Sequence, residues 1–436
     1  WRERNSGSRK PCNFIIEVGK LPGMRRGTDH METGRLVSVT ERFMKALCAD
    51  IRDRSVGSPG NRKATRLFRD IVVSHGWRTE VSELDVIDWE EHGAELTIGE
   101  RTFPVLPSPY SPGCSAKAPL VSAASFQELQ ELDMTGSILL LHGDIAAEQL
   151  MPKNFVFDNP EEHRRIVALL EERKPVAIVT ATGRNASLAG GVYPFPMIED
   201  GDFDIPSVYT TEETGRLLLP LTGRTVHLES RSERIPAKAC NVVARKGRDM
   251  SRRVVVTAHI DSKKGTPGAI DNATGVTILM ILAGLLEDYR GDCVIELAAF
   301  NGEDYYAVPG QMDYLRRNQG LFGNIMLNIN IDGAGYKEGV TSFSFFGVPE
   351  PVRNTCEELF REHPGISEGV QWVQGDHSIF VQQGCPAIAV SSRWFIDNID
   401  SQEITHTPKD DLDIVDFSIV ADAAMALEHL IRRHFA

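Results

Sequence analysis

Four short apolar runs in the second half of this 436-residue chain constrain its fold more than any other feature. They are RVVVTA before His259, CVIELAAF before Asn301, IMLNINI before Asp332 and CPAIAV before Ser391. Each is too short for a buried helix and rich enough in β-branched residues to be a strand covered on both faces. Such strands need helices to cover them. The segments ATGVTILMILAGLLEDY and MDYLRRN supply these between the runs. A last amphipathic helix passes through Phe417, Val420, Ala424, Leu427 and Ile431, with Asp416 placed to cap it. This alternation predicts an α/β fold with a largely parallel sheet between layers of helices.

Upstream, Leu36, Val39, Phe43, Leu47 and Ile51 recur at helical spacing until the loop SVGSPGN breaks the pattern. A second helix follows with Ala64, Leu67, Phe68, Ile71 and Val72 on one face, and it stops at Gly76. EVSELDVIDW and ELTIGERTF read as strands, the latter turning near Gly99, and the turn-rich PSPYSPG at 107–113 marks a domain boundary. Beyond it SILLLHG, VAIVTAT and IPSVYTT are strand-like and surround one helix near His163 to Glu172, with no cluster of catalytic character. The organisation predicted is a discontinuous domain over 33–110 and 236–436, an inserted β-rich domain over 111–235, and a polar, aperiodic extension over 1–32 that is disordered or non-native.

Composition removes several classes of function. A formal net charge of -14 argues against a general nucleic-acid binder, which needs a concentrated basic surface. No apolar run reaches the ~20 residues that span a bilayer, and the opening stretch lacks the apolar centre of a secretory signal, so no membrane association and a cytoplasmic location are expected. The seven cysteines are scattered without a CxxC pair and read as free thiols. A homo-oligomer is left open.

Open α/β sheets bind ligands just beyond the carboxyl ends of their strands, and the polar residues of this chain gather there. The first run ends in TAHIDS with His259 and Asp261, the second in FNGEDYY with Glu303 and Asp304, the third in NIDGAG with Asp332. GAIDNATGV adds Asp271 and ITHTPKDD adds His406. Singly, each is an ordinary loop residue. Together, at successive strand ends, they predict a pair of divalent ions whose charge Asp271, Asp304, Asp332 and a shared hydroxide would balance. Imidazole and carboxylate suit zinc, and two such ions would activate one water for hydrolysis. Adjacent residues point in different directions, so Asp304 can hold metal while Glu303 faces the water as proton shuttle.

At these residues the sequence resembles the M28 family of zinc peptidases. AHIDS with PGAIDNATGV, then FNGED, NINIDGAG, GDHSIFVQQGCPA and THTPKDD follow the family's motifs in order, and the likeness covers about Val37 to Asp70 and nearly all of Ala237 to Ala436. The resemblance implies a mixed, largely parallel sheet flanked by helices, of the phosphorylase/hydrolase-like kind, with two zinc ions per chain. It implies Asp271 bridging them, Asp304 and His406 on one ion, and His259 and Asp332 on the other. Glu303 would be the general base, Asp261 would orient His259 through a hydrogen bond, and the peptide after Asp271 would be cis. The middle segment resembles the protease-associated domain, through SILLLHGD, the following helix, VAIVTAT and DIPSVYTT.

The sequence departs from the family in having Asp304 where Glu is common, Thr405 where some relatives have Tyr, and DYYAVPGQ in place of a glycine and serine run. The activity implied is release of an amino-terminal residue from a peptide. A carboxypeptidase or dipeptidase of the same fold is the alternative, with Arg393 as anchor for a terminal carboxylate. Trp394 and Phe395 are candidates to line a hydrophobic pocket for the leaving side chain, although aromatic residues beside a strand end more often belong to the core. A single-zinc cyclase and an inactive peptidase-fold binding protein are the other readings.

Overall fold

The computed structural model describes residues 29–184 and 191–436. The strands are β1 (Arg78–Ile98), β2 (Arg101–Pro107), β3 (Cys114–Ala123), β4 (Ile138–Leu141), β5 (Ala177–Thr182), β6 (Ser207–Thr211) and β7 (Thr225–Lys246). They continue with β8 (Asp249–His259), β9 (Cys293–Phe300), β10 (Ile325–Ile331), β11 (Thr341–Phe346), β12 (Ile366–Glu368) and β13 (Ala387–Ser392). The four apolar runs become β8, β9, β10 and β13, which lie side by side in the order β9-β8-β10-β13 and are parallel throughout. Antiparallel β7 borders β9, and antiparallel β11 borders β13 with β12 outside it. The fold is a mixed α/β architecture with a large mixed sheet flanked by helices.

Burial explains the run-like sequences. Every residue of β9 is buried, as expected of a strand with a helix layer on each face. One layer is built around the helix Thr274–Leu285, in which Thr274 to Ala283 are all buried. It lies against the helices Asp29–Lys45, Pro59–Ser74 and Phe417–Phe435, which is why its sequence is apolar all round while theirs are amphipathic. Asp416 caps the last of these by accepting the Ser418 N–H at 2.8 Å. The other layer packs Phe300, Tyr314, Phe322 and Phe380 ring against ring.

The strands β1 and β7 are 21 and 22 residues long. They pair antiparallel from Arg78↔Arg245 to Thr97↔His227, with a bulge between Glu91 and Ala94. Past that bulge β2, β6, β5, β4 and β3 run from β1 back to β7, closing a ring of seven strands. Closure leaves this unit without a free sheet edge. The ring takes in β2 and the distal part of β1, which lie before the boundary read at 111. The ladder crosses the Gly93 region as a bulge instead of breaking there, so one strand serves both units. A second difference is at the start, where residues 29–32 open the first helix; residues 1–28 lie outside the described residues.

No helix among the described residues is long and apolar enough to cross a membrane. Six cysteines there are free, and Cys12 lies outside them.

One buried ionic cluster holds the sheet to the helix Pro309–Arg317. Glu296, fully buried on β9, accepts from Arg245 Nε at 2.5 Å and from Tyr314 Oη at 2.5 Å, and lies 3.6 Å from Arg253 Nη1. Arg253 is itself buried, donating to Asn318 Oδ1 at 2.8 Å and to the Leu321 carbonyl at 3.0 Å. Glu296→Ala strands that guanidinium without a counter-charge and should cost about 3–5 kcal/mol. A lowered urea midpoint at unchanged slope is the expected readout, with Glu296→Gln losing less.

Candidate metal centre

The carboxyl ends of the parallel strands converge on one point. His259 is the last residue of β8, Asp332 follows β10, and Glu303 and Asp304 follow β9. Asp271 stands in the turn before the Thr274–Leu285 helix, and His406 in the loop before the last helix. Asp271 lies between two imidazoles, with Oδ1 3.0 Å from His259 Nε2 and Oδ2 3.1 Å from His406 Nε2. Asp332 Oδ1 flanks His259 Nε2 at 3.5 Å, and Asp304 Oδ1 flanks His406 Nε2 at 3.1 Å. The result is two clusters, His259–Asp271–Asp332 and Asp271–Asp304–His406, that share Asp271; within each, the donor atoms lie within 4.8 Å of one another.

Part of the donor set is left unpaired by the protein itself. Both ring nitrogens of His259 and Oδ2 of Asp304 are buried without a hydrogen-bond partner, although carboxylates stand within 3.0 to 3.5 Å of His259 Nε2. Buried polar atoms are rarely left so. Burial opposes charge on His406, yet Asp304 and Asp271 outweigh it and push the imidazole up to about 10. His259 follows the same logic: burial lowers it, while Asp332 and Asp271 hold it well above its usual range. Asp271 is held far below the usual carboxylate range, its burial overcome by the two imidazoles beside it. Five acid and imidazole groups around one point therefore create a negative potential that protons satisfy when no other cation does.

Several residues that sequence reading did not single out keep this geometry. Asp410 is fully buried and accepts the N–H of Ile270 at 2.7 Å and of Asp271 at 3.0 Å. Arg54, also buried, donates to the carbonyls of Leu47, Ile260, Pro267 and Gly268 at 2.7 to 3.1 Å. It thereby ties the first helical segment to both ligand-bearing loops. Gly268 has φ +57, and a Cβ there would meet the Asp271 carbonyl at 2.5 Å and Arg54 Nη2 at 2.8 Å. Asn272 donates to the Ile331 carbonyl at 2.7 Å, and the Asp271–Asn272 peptide is cis. His406 has φ 60, a conformation that costs a non-glycine residue about 1–3 kcal/mol and is held only by its surroundings. Gln402 supplies part of that hold, accepting the N–H groups of Ile404 at 2.7 Å and Thr405 at 3.1 Å.

Asp261 does something other than expected. Its Oδ1 stands 3.8 Å from His259 Nδ1, too far for a hydrogen bond. It instead accepts the N–H of Gly302 at 2.7 Å and of Asp304 at 3.0 Å, so it fixes the turn that carries Glu303.

A cleft of about 620 Å³ opens over the centre. Glu303 lines it, its carboxyl held well above the usual range by burial, with His259 opposing and Asp332, Asp304 and Asp376 adding. Tyr305, Tyr306, Val308 and Gln311 form one wall, so the DYYAVPGQ segment is the pocket lining there. The inserted unit contributes Met151, Phe155 and Phe157. Asp376, missed from the sequence, lines the cleft and accepts from Gln311 Nε2 at 2.7 Å.

Arg393 and Trp394 do not line the cleft. A short helix starts at Arg393, whose Nε meets both oxygens of Asp397 at 2.9 Å. Trp394 packs against Tyr336 with ring centroids 4.8 Å apart. Phe395, one position on, faces the cleft instead.

A family model described as Peptidase family M28 matches residues 241–431. Aminopeptidase YwaD of Bacillus subtilis (strain 168) is 22% identical over 233 residues, covering 50% of this chain and 49% of the relative. The probable lipoprotein aminopeptidase LpqL of Mycobacterium tuberculosis (strain ATCC 25618 / H37Rv) is 24% identical over 274 residues, covering 60% and 51%. The chain thus spans about half the length of the curated relatives it matches. Among solved structures, an aminopeptidase from Aneurinibacillus sp. strain AM-1 superposes with a TM-score of 0.71 at 20% identity, over 94% of this chain and 96% of that one. The segment 241–431 is a peptidase family M28 domain.

The paired clusters have a consequence for metal-free protein. His406 is raised from 6.5 to about 10 on folding. Its contribution to stability is therefore complete below pH 6.5 and lost as pH rises through 10. In chelator-treated protein the thermal midpoint should carry this loss, and Asp304→Asn should flatten it. Parallel pH profiles for the two proteins would refute the pairing.

Proposed function

We propose that the chain is a zinc-dependent aminopeptidase, with two zinc ions held at the paired clusters and Glu303 as general base. The observation that carries the reading is Asp271 set between two imidazoles, each flanked by one further carboxylate. Two His and three Asp suit zinc, and His259 and Asp304 hold buried donor atoms without a hydrogen-bond partner that such an ion would satisfy. Divalent ions bound there would polarise a scissile carbonyl and make a water acidic enough to attack. His259 and Asp332 would hold one ion, Asp304 and His406 the other, and Asp271 both.

Glu303 faces the same space, on a turn fixed by Asp261. Its carboxyl is raised toward the working pH by burial, which suits a group that takes a proton from the attacking water and returns it to the leaving amine. The cleft wall of Tyr305, Tyr306 and Phe395 limits access of bulk water to that exchange.

Charge favours the amino end of a peptide over the carboxyl end. Beyond the proposed ligands, Asp158, Glu199, Glu303 and Asp376 line the cleft, and its one Lys or Arg among the described residues, Lys263, is paired with Glu199 at 2.6 Å. An ammonium is welcome in such a field and a carboxylate is not. With Arg393 tied to Asp397, the carboxypeptidase reading loses its anchor. The names of the relatives support the same choice. The inserted ring is read as a protease-associated-like domain that shapes access, since Met151, Phe155 and Phe157 come from it. Free thiols keep the cytoplasm as the proposed location.

Amino-acid amides should be cleaved after chelation and zinc return, and amino-blocked peptides should not; cleavage of the blocked set alone overturns the aminopeptidase reading. Glu303→Gln should lower turnover by about 10²- to 10⁴-fold, the usual worth of a general base, while metal content is unchanged. Asp410→Ala frees the Asp271 turn and should weaken zinc affinity by about 10- to 100-fold, as loss of a ligand-orienting partner does, measured by chelator competition.

A further inference from the structure

A second group of metal-binding side chains lies away from the cleft and shares no residue with it. His363 follows the helix Glu350–Glu362, and His429 belongs to the helix Phe417–Phe435. His363 Nε2 and His429 Nδ1 face each other at 3.2 Å, and a Glu362 carboxylate oxygen completes a set of three donors within 4.8 Å of one another. We infer that His363, His429 and Glu362 form a site for a zinc-class divalent ion that clasps the end of the Glu350–Glu362 helix to the last helix.

Geometry supports this. Two imidazole nitrogens on one tetrahedral zinc, each at roughly 2.0–2.1 Å, stand about 3.3 Å apart, so the rings need hardly move from their present separation. The other nitrogen of His363, Nδ1, lies 2.6 Å from Asp422 Oδ1. That is the carboxylate–histidine arrangement that fixes the tautomer and aims the opposite nitrogen at a metal. Binding takes the place of the N–H···N contact between the two rings: the proton of a neutral His429 moves to its far nitrogen, Nε2, which faces Glu428 at 3.8 Å, and each imidazole meets the ion through a free lone pair.

The surroundings balance the charge. Glu362 holds Arg433 at 2.8 and 2.5 Å, but a carboxylate has about four lone-pair sites, so one can turn to the ion. Asp422, Glu362, Glu428 and Asp288 together offset the ion, Arg433 and Arg432, the last of which pairs with Glu428 and, at 2.6 Å, with Asp288. Two donors sit on elements that meet only in the folded chain, which makes the ion a staple between them.

The test uses the full chain, loaded with zinc by dialysis and counted by elemental analysis, beside His429→Gln and Asp422→Asn. His429→Gln should hold one zinc fewer than the parent, with peptide hydrolysis unchanged. Asp422→Asn should bind that ion about 10- to 100-fold more weakly. With cupric ion as probe, electron paramagnetic resonance should show two-nitrogen coupling that His429→Gln abolishes. Equal zinc content in parent and His429→Gln, or a cupric signal indifferent to the change, overturns the proposal.

Discussion

Asp271 held ionised between the imidazoles of His259 and His406 is the interaction on which the rest of the cleft depends. A carboxylate in that position is costly to desolvate and is stable only with cationic partners on both sides. Its two oxygens are shared between His259 and His406. Neither imidazole alone would hold Asp271 in line, and a bridging carboxylate that tilts serves one cluster and deserts the other. The surrounding chain therefore invests in its backbone. Asp410 takes the N–H groups of Ile270 and Asp271, Asn272 anchors to the end of β10, and Arg54 closes the turn from behind.

The sheet solves the remaining problem of bringing distant residues together. β8, β9 and β10 are neighbours and run the same way, so the residues after each emerge on one side. Helices return the chain on both faces, so the strands can be apolar along most of their length. The polar residues within them are partnered inside the fold: Glu296 and Arg253 lie 3.6 Å apart in the helix layer, Thr257 donates to Asn330 at 2.7 Å, and Asn328 donates to the Val255 carbonyl at 3.1 Å.

This division of labour explains what was legible. The strands and their helices were readable because burial on both faces writes continuous apolar runs, and the site residues because chemistry at the strand ends interrupts those runs. The supporting residues were not. Asp410 sits in the THTPKDD segment beside Asp411, and nothing local distinguishes a fully buried acid from its half-buried neighbour. Arg54 looks like any loop arginine until four carbonyls from distant segments surround it. Arg393 and Trp394 failed for a related reason: β13 ends one residue before them and a helix begins at once, so a one-residue difference in phase turned Arg393 to Asp397 and put Phe395 in the cleft. The role of Asp261 moved from imidazole to backbone because a turn with two free N–H groups lay nearer than the ring nitrogen.

The junction between the two units follows from the same constraint. β1 and β7 cross it as continuous strands, and a bulge between Glu91 and Ala94 lets the pair bend from the central sheet into the ring. A flexible linker would leave the ring's position undefined. A strand pair that is hydrogen-bonded through the junction transmits it, so Met151, Phe155 and Phe157 can hold a fixed place above Glu303. Side contacts reinforce that placement: Lys263, two residues past Asp261, meets Glu199 of the inserted unit at 2.6 Å, and Arg234 on β7 meets Asp204 at 2.7 Å. The cleft is thus made jointly, its chemistry by the parallel sheet and part of its shape by the ring, with two long strands as the mechanical connection.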